Sequence, residues 1–159
     1  KLAILGYGKM GKTVEKIAST RHHDIVYISA LDIDISELKK ADVAIDFSVP
    51  EAAFKNITTC LDHNIAVVSG TTGWLEKYDE AKTICKKNAG RFLYASNFSI
   101  GVNVFFEVNS YLAKMMSGLK DYGVKLKEIH HLEKKDANAI IKNEFKILNQ
   151  ETVISPPYP

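Results

Sequence analysis

A glycine pattern near the start of the chain constrains the fold more than any other feature. Gly6, Gly8 and Gly11 follow an apolar run at residues 2–5 and precede residues 12–19, whose apolar side chains share one helical face. Between a strand and a helix, this spacing is typical of a turn that binds the pyrophosphate of a dinucleotide, although it also occurs in ordinary turns. The first glycine allows the tight turn, the second lets the phosphates approach the backbone, and the third lets the helix pack on the strand.

Strands and helices are predicted to alternate after this turn. Further strands are predicted at residues 25–31, 43–47, 65–69 and 91–94, and longer helices at residues 48–63 and 75–88. This order favours an α/β fold with a doubly wound parallel sheet of the Rossmann type. Ser48, Pro50 and Glu51 form a capping-box pattern at the start of one helix.

The connection between the second and third strands is short. Only residues 35–40 show a helical or irregular link there. A parallel crossover usually needs a dozen residues or more. Either this crossover is minimal, or part of the chain is missing at this point.

The character of the sequence changes after Tyr94. Residues 96–101 are polar and contain glycine, as in a hinge, and apolar residues then recur at helical spacing to about Ser117. Residues 125–131 carry a weaker strand signal. We therefore expect two domains, residues 1–97 and residues 98–159, the second of the α+β class and incomplete.

Composition excludes several classes of function. Of the 159 residues, 46% are hydrophobic, and 21 basic side chains against 19 acidic ones leave a net charge of only +2. This balance predicts no binding to nucleic acid or to an anionic membrane. The two cysteines, Cys60 and Cys85, form no metal or disulfide motif, and no signal peptide is visible, so a cytoplasmic protein is expected.

Asp32 follows the second predicted strand. A carboxylate there can accept hydrogen bonds from an adenosine ribose, although Asp32 can also be a solvated loop residue and Asp34 lies close enough to take the role. Because no arginine follows Asp32 to accept a 2′-phosphate, NADH is favoured over NADPH. Lys9 and Lys12 can meet a phosphate or remain solvated.

Two later segments also carry polar chemistry. Residues 70–73, Gly-Thr-Thr-Gly, follow the fourth strand, at the sheet edge where ligands bind in open α/β folds. His130, His131 and Lys134 place proton donors in one short segment, and His130 can act as a general acid. A metal site, a buried histidine and a solvated pair are the alternatives, but the spacing lacks the pattern of a zinc site, so no metal is predicted.

Together these motifs resemble the 4-hydroxy-tetrahydrodipicolinate reductase family, also called dihydrodipicolinate reductase, of diaminopimelate and lysine biosynthesis. The resemblance covers residues 1 to about 137. Its motifs are residues 6–11, Asp46-Phe47-Ser48 with Pro50, residues 70–73, residues 95–102 (Ala-Ser-Asn-Phe-Ser-Ile-Gly-Val), and Glu128-Ile129-His130-His131 followed by Lys134, Lys135, Asp136 and Ala137.

The resemblance implies a homotetrameric reductase with a nucleotide domain, a substrate domain, a small dicarboxylate substrate, and NADH or NADPH as cofactor. It implies that His130 is the acid/base residue, Lys134 a second proton donor and His131 a substrate contact. The cofactor contacts that it implies are Gly6, Tyr7, Gly8, Lys9, Met10, Gly11, Asp32, Phe47, Gly70, Thr71, Thr72, Ala95, Ser96, Asn97 and Phe98.

The chain departs from the family pattern after Ala137. The family continues with Pro-Ser-Gly-Thr, which holds a substrate carboxylate, whereas here Asn138-Ala139-Ile140 follow. The chain is also shorter than family members, so we expect it to be an incomplete part of a two-domain reductase. A nucleotide-binding module without catalysis and a dehydrogenase of another small dicarboxylate are the alternatives.

Overall fold

The computed structural model describes residues 1–119 and residue 121, together with the backbone of residues 126–129 and 152–155. The chain divides into two compact units, Lys1–Ala95 and Ser96–Pro159. This division lies two residues before the domain boundary expected from the sequence, and the functions assigned to the two parts remain predictions.

The first unit is a parallel sheet with helices between its strands. The strands are β1 (Leu2–Leu5), β2 (Ile25–Ser29), β3 (Val43–Asp46), β4 (Ala66–Ser69) and β5 (Phe92–Tyr94), and the helices are α1 (Lys9–Thr20), α2 (Ile35–Leu38), α3 (Pro50–Asp62) and α4 (Tyr78–Lys87), the last preceded by a 3₁₀ turn at Leu75–Lys77. Every strand pairs in parallel, in the order β2-β1-β3-β4-β5. The predicted α/β fold of the Rossmann type is confirmed.

The core lies between the sheet and its helices. Strands β1, β3 and β4 supply buried apolar side chains, and α3 packs against β3 and β4 through Ala53, Ile57, Cys60 and Leu61, each at most 1% exposed. Strands in the middle of such a sheet are covered on both faces, which explains their nearly continuous apolar sequences.

The short crossover between β2 and β3 is formed by the single turn of α2. Asp34 caps this helix, accepting hydrogen bonds from the backbone N–H groups of Ser36 (2.8 Å) and Glu37 (3.4 Å), and Leu38 is fully buried. Only β1 lies between the two strands, so the connection spans roughly 10 Å across the sheet. One helical turn with one buried leucine is therefore enough to cover it.

Helix α3 does not begin with the predicted capping box. Its N-cap is Val49, and no side chain accepts a hydrogen bond in the capping position among the described residues. The Ser48 hydroxyl instead donates to Asp46 Oδ1, 2.7 Å away. The Ser48 oxygen also accepts a hydrogen bond from Asn56 Nδ2, 3.1 Å away, so both the donor and the acceptor of this hydroxyl are used inside the protein.

The second unit begins with one long helix, α5 (Ile100–Met116), as the helical spacing predicted. Ser99 caps it by accepting a hydrogen bond from the Val102 N–H (3.4 Å). Two further strands, β6 (Leu126–Ile129) and β7 (Thr152–Ser155), pair in parallel. Within the part of the chain that the structure describes, no helix is both long enough and apolar enough to cross a membrane.

Candidate functional site

A cavity of about 550 Å³ opens at the carboxyl edge of the sheet. Its lining residues come from the ends of three strands and from α3, namely Gly6, Tyr7, Gly8, Ser29, Ala30, Leu31, Asp32, Phe47, Ser48, Val49, Ala52 and Asn56. The strand order reverses between β1 and β3, so the loops after these strands leave a crevice between them. Doubly wound sheets bind their ligands at this point.

The turn after β1 can be built only with glycine at two of its positions. Gly6 has a φ of +91°, and a Cβ atom added there would overlap the carbonyl group of Phe47. A Cβ atom on Gly11 would overlap the carbonyl oxygen of Gly6. These contacts press the start of α1 against the end of β1, as the glycine spacing predicts.

Gly8 differs because its side-chain position faces open space. Apart from Gly8 and its neighbours in the chain, no atom of the described residues lies within 4 Å of the point that a Cβ on Gly8 would occupy. Gly8 is also the N-cap of α1, whose first turn has neither a side-chain cap nor an acidic residue in this described part of the chain. The backbone N–H groups and the dipole of the helix there favour a negatively charged group, so the turn fits a dinucleotide pyrophosphate.

Tyr7 and Lys12 are held beside the entrance of this turn. The Tyr7 hydroxyl donates to Glu15 Oε2 at 2.5 Å, and the Lys12 Nζ lies 5.7 Å from the centre of the Tyr7 ring. The hydrogen bond to the Glu15 carboxylate raises the pKa of Tyr7 above its ordinary value. The neutral Tyr7 ring, which lines the cavity, is therefore held between the Glu15 carboxylate and the Lys12 ammonium group.

The structure separates the two aspartates that the sequence left as alternatives. Asp34 is occupied as the cap of α2, and hydrogen bonds from Ser36 and Glu37 lower its pKa. The side chain of Asp32 is 99% exposed at the rim of the cavity, with Lys55 Nζ 3.9 Å from its Oδ1. Asp32 is thus the carboxylate that a ribose at this rim would meet.

A buried carboxylate, Asp46, lies directly behind the cavity. Its Oδ1 accepts hydrogen bonds from Ser48 Oγ (2.7 Å) and Asn56 Nδ2 (3.0 Å). Its Oδ2 accepts from Ser69 Oγ (2.8 Å) and Thr71 Oγ1 (2.8 Å). Asp46 is fully buried, so these four donors replace the water that a carboxylate would otherwise need.

Sequence reasoning assigned no role to Asp46, although a signal was present. Both β3 and β4 end in a polar residue after an apolar run, Asp46 and Ser69, and the two are paired in register. A carboxylate and a hydroxyl at matching ends of neighbouring parallel strands lie close enough to form a hydrogen bond.

The turn at residues 70–73 is tied to this carboxylate. Besides donating to Asp46, Thr71 Oγ1 accepts a hydrogen bond from the Ser48 N–H (2.9 Å), and the Thr71 carbonyl accepts one from Trp74 Nε1 (2.7 Å). Thr71 is only 5% exposed, whereas Thr72 is half-buried. The Thr71 hydroxyl and carbonyl are therefore used inside the protein, and Thr72 is the more exposed threonine of this turn.

Comparison with known proteins agrees with this geometry. A model of the dihydrodipicolinate reductase N-terminus matches residues 1–98. The chain belongs to the dihydrodipicolinate reductase family. It is 60% identical over 138 residues to the 4-hydroxy-tetrahydrodipicolinate reductase of Christiangramia forsetii, covering 86% of this chain and 58% of that protein. It is 35% identical over 114 residues to the enzyme of the same name from Methanoregula boonei, covering 71% of this chain and 44% of that protein.

A solved reductase of the family has the same fold. The dipicolinate-bound dihydrodipicolinate reductase of Paenisporosarcina sp. TG-14 superposes with a TM-score of 0.56 at 21% identity, covering 98% of this chain and 69% of that one. This chain spans about half the length of the curated reductases it matches.

Not all of the implied site residues of the reductase family are brought together. Gly6, Tyr7, Gly8, Asp32 and Phe47 line the one cavity, and Lys9, Met10 and Gly11 form the first turn of α1 beside it. Gly70 packs against the Phe47 ring, so that the turn at 70–73 is adjacent.

The remaining implied residues lie at the end of the first unit or beyond it. Ala95 ends that unit, its N–H donating to the Ser69 carbonyl at 3.2 Å. Ser96, Asn97 and Phe98 open the second unit, where Asn97 Oδ1 accepts from the Ser99 N–H (2.8 Å). His130, His131 and Lys134 lie outside the described residues. Among the residues that are described, no three histidine, cysteine or acidic side chains are grouped to hold a metal ion.

Proposed function

We propose that this protein reduces 4-hydroxy-tetrahydrodipicolinate to tetrahydrodipicolinate, using NADH or NADPH, in the synthesis of diaminopimelate and lysine. The observation that carries this proposal is the cavity at the strand-order reversal, bounded by the glycine turn in a chain of the dihydrodipicolinate reductase family. A small dicarboxylate as substrate and a homotetramer in the cytoplasm belong to the same proposal.

The nucleotide would be held mainly by backbone groups of the first unit. Gly8 leaves room for the pyrophosphate, and the N–H groups at the start of α1 would donate to it, with Lys9 and Lys12 adding positive charge. Asp32 would accept hydrogen bonds from the adenosine ribose. An exposed carboxylate at this point repels a 2′-phosphate, which supports NADH as the preferred cofactor.

The nicotinamide end would lie toward Phe47, Gly70 and Thr72, with the segment Ala95, Ser96, Asn97 and Phe98 completing its contacts. When bound, the nicotinamide would supply a hydride to the unsaturated substrate ring, and the 4-hydroxyl group of the substrate would leave as water. His130 and Lys134 would then provide the proton and the positive charge that the reduced ring requires, and His131 would contact a substrate carboxylate.

The test is turnover by the intact protein. Absorbance of the reduced nicotinamide should fall only when the hydroxylated dipicolinate precursor is supplied. The double variant His130→Gln with Lys134→Ala should lose roughly 100-fold or more in kcat while binding NADH with unchanged Kd.

Two results would contradict the proposal. NADH binding without turnover, in a protein whose intact mass shows no missing segment, would instead indicate a non-catalytic nucleotide module. Undiminished kcat in the double variant would remove His130 and Lys134 from the mechanism.

A further inference from the structure

Asp46 lies one residue before the wall of the nucleotide cavity, yet it does not line that cavity itself. The wall is formed by Phe47, Ser48 and Val49, the residues between β3 and α3. This short segment has no regular structure, so its position depends on what its backbone groups contact.

The Ser48 backbone is held by a chain of two hydrogen bonds that begins at Asp46. Asp46 Oδ2 accepts from Thr71 Oγ1 (2.8 Å), and this orients the hydroxyl so that a lone pair faces the Ser48 N–H, 2.9 Å away. The Thr71 hydroxyl therefore acts as donor and acceptor at once, and joins the turn after β4 to the segment after β3.

The fixed segment in turn contacts the glycine turn. The Phe47 carbonyl lies where a side chain on Gly6 would be, and the Phe47 N–H donates to the Leu5 carbonyl at 2.9 Å. On its other side the Phe47 ring covers Gly70. A displacement of residues 47–48 would therefore change the width of the crevice beside Gly6 and Gly8.

We propose that Asp46 is a positioning residue for nucleotide binding, which acts through Thr71 to hold the Phe47–Ser48 wall of the cavity at the correct distance from the glycine turn. This inference rests on the proposed function, because it takes the cavity to be the nucleotide site. Asp46 itself does not line the cavity, so it would touch neither cofactor nor substrate.

The chain offers a matched pair of variants. Ser69 Oγ and Thr71 Oγ1 each donate to the same Asp46 oxygen at 2.8 Å, and both residues are buried. Only Thr71 also accepts from the Ser48 N–H. Ser69 Oγ instead accepts a long hydrogen bond from the Thr71 N–H, 3.4 Å.

The experiment compares Ser69→Ala with Thr71→Val in the intact protein. Each removes one buried donor to Asp46, so both should lower the Tm, and Thr71→Val should lower it more because the Ser48 N–H also loses its acceptor. Thr71→Val should also raise both the Kd and the KM for NADH by about tenfold, while its kcat stays within about twofold of the wild-type value. Ser69→Ala should leave the Kd for NADH within about twofold of the wild-type value. Thr71→Ser, which restores the hydroxyl, should return the Kd to the wild-type value.

The inference would be overturned if the wild type binds NADH but Ser69→Ala and Thr71→Val have equal Kd values for it. That result would leave the proposed function standing. Failure of the wild type to bind either NADH or NADPH would overturn the proposed function, and the inference with it.

If Thr71→Val does not fold, amide hydrogen exchange of the wild-type protein tests the inference instead. NADH should slow amide exchange in residues 47–49 and 70–73 together, because the Thr71 hydroxyl joins them. Slowing confined to residues 6–11 would contradict the inference.

Discussion

Two glycine-bounded turns stand at the same edge of the sheet, and they are built in opposite ways. The turn at residues 6–11 is shaped by backbone packing, with Gly6 against Phe47 and Gly11 against Gly6, and it faces open space at Gly8. The turn at residues 70–73 is held by side chains, with Thr71 bonded to Asp46 and Trp74 bonded to the Thr71 carbonyl.

The difference shows how similar sequences can serve different purposes. At the first turn no side chain of the described residues caps the N–H groups that begin α1, so they can bind an anion. The second uses its hydroxyl inside the protein and stiffens the wall beside the first. The open turn thus depends on the closed one for its shape, and the following substitutions test that dependence.

The largest effect is expected for Gly6→Ala. The positive φ and the overlap of a Cβ with the Phe47 carbonyl both oppose the substitution. We expect a loss of about 3 kcal/mol or more in the free energy of unfolding. Urea denaturation followed by circular dichroism measures it, and a variant as stable as the wild type would show that the turn can relax away from Phe47.

Asp46→Asn should have the next largest effect. An amide cannot accept the four hydrogen bonds that the carboxylate accepts, so at least one buried donor loses its partner. We expect a loss of about 1–3 kcal/mol in the free energy of unfolding. Asp79→Asn, at a carboxylate that is 93% exposed on α4, is the matched control and should leave the unfolding midpoint nearly unchanged.

Gly8→Ala should separate binding from stability. A methyl group there meets open space in protein without ligand, so the midpoint of unfolding should hardly change. The same methyl group would stand where a pyrophosphate approaches, and the Kd for NADH, measured by titration of its fluorescence, should rise about tenfold. Unchanged NADH affinity would place the phosphates elsewhere.

The smallest expected effect concerns Cys60, a fully buried residue near the end of α3. Burial, together with the Asp46 carboxylate, raises the pKa of the Cys60 thiol to about 12. The folded protein should therefore ionise only roughly one Cys60 thiol in 10⁴ at about pH 8, where iodoacetamide should modify the half-buried Cys85 first. Mass spectrometry of the alkylated protein measures this order, and equal labelling of both cysteines would mean that water reaches the interior around Cys60.

Much of the fold could be predicted because its signals are local. Apolar runs and the glycine spacing predicted β1, β3, β4 and the turn before α1, and the helical spacing predicted α5. The prediction of a capping box at Ser48 was wrong. The Ser48 hydroxyl donates to Asp46, and the capping-box pattern takes no account of that acceptor. Strand β7 was missed, since four residues before a run of prolines carry little signal on their own.

For the site, the sequence by itself determined the candidates, since glycine spacing, an aspartate after β2 and a threonine pair after β4 are chemical patterns that need no coordinates. Only the tertiary structure decided which partners each has. Asp34 is taken by a helix cap and Asp32 is left at the rim, and the Thr71 hydroxyl points inward to Asp46. The physical reason is that the role of a polar group depends on which hydrogen-bond partners the fold places beside it. Those partners lie up to 25 residues away in the chain.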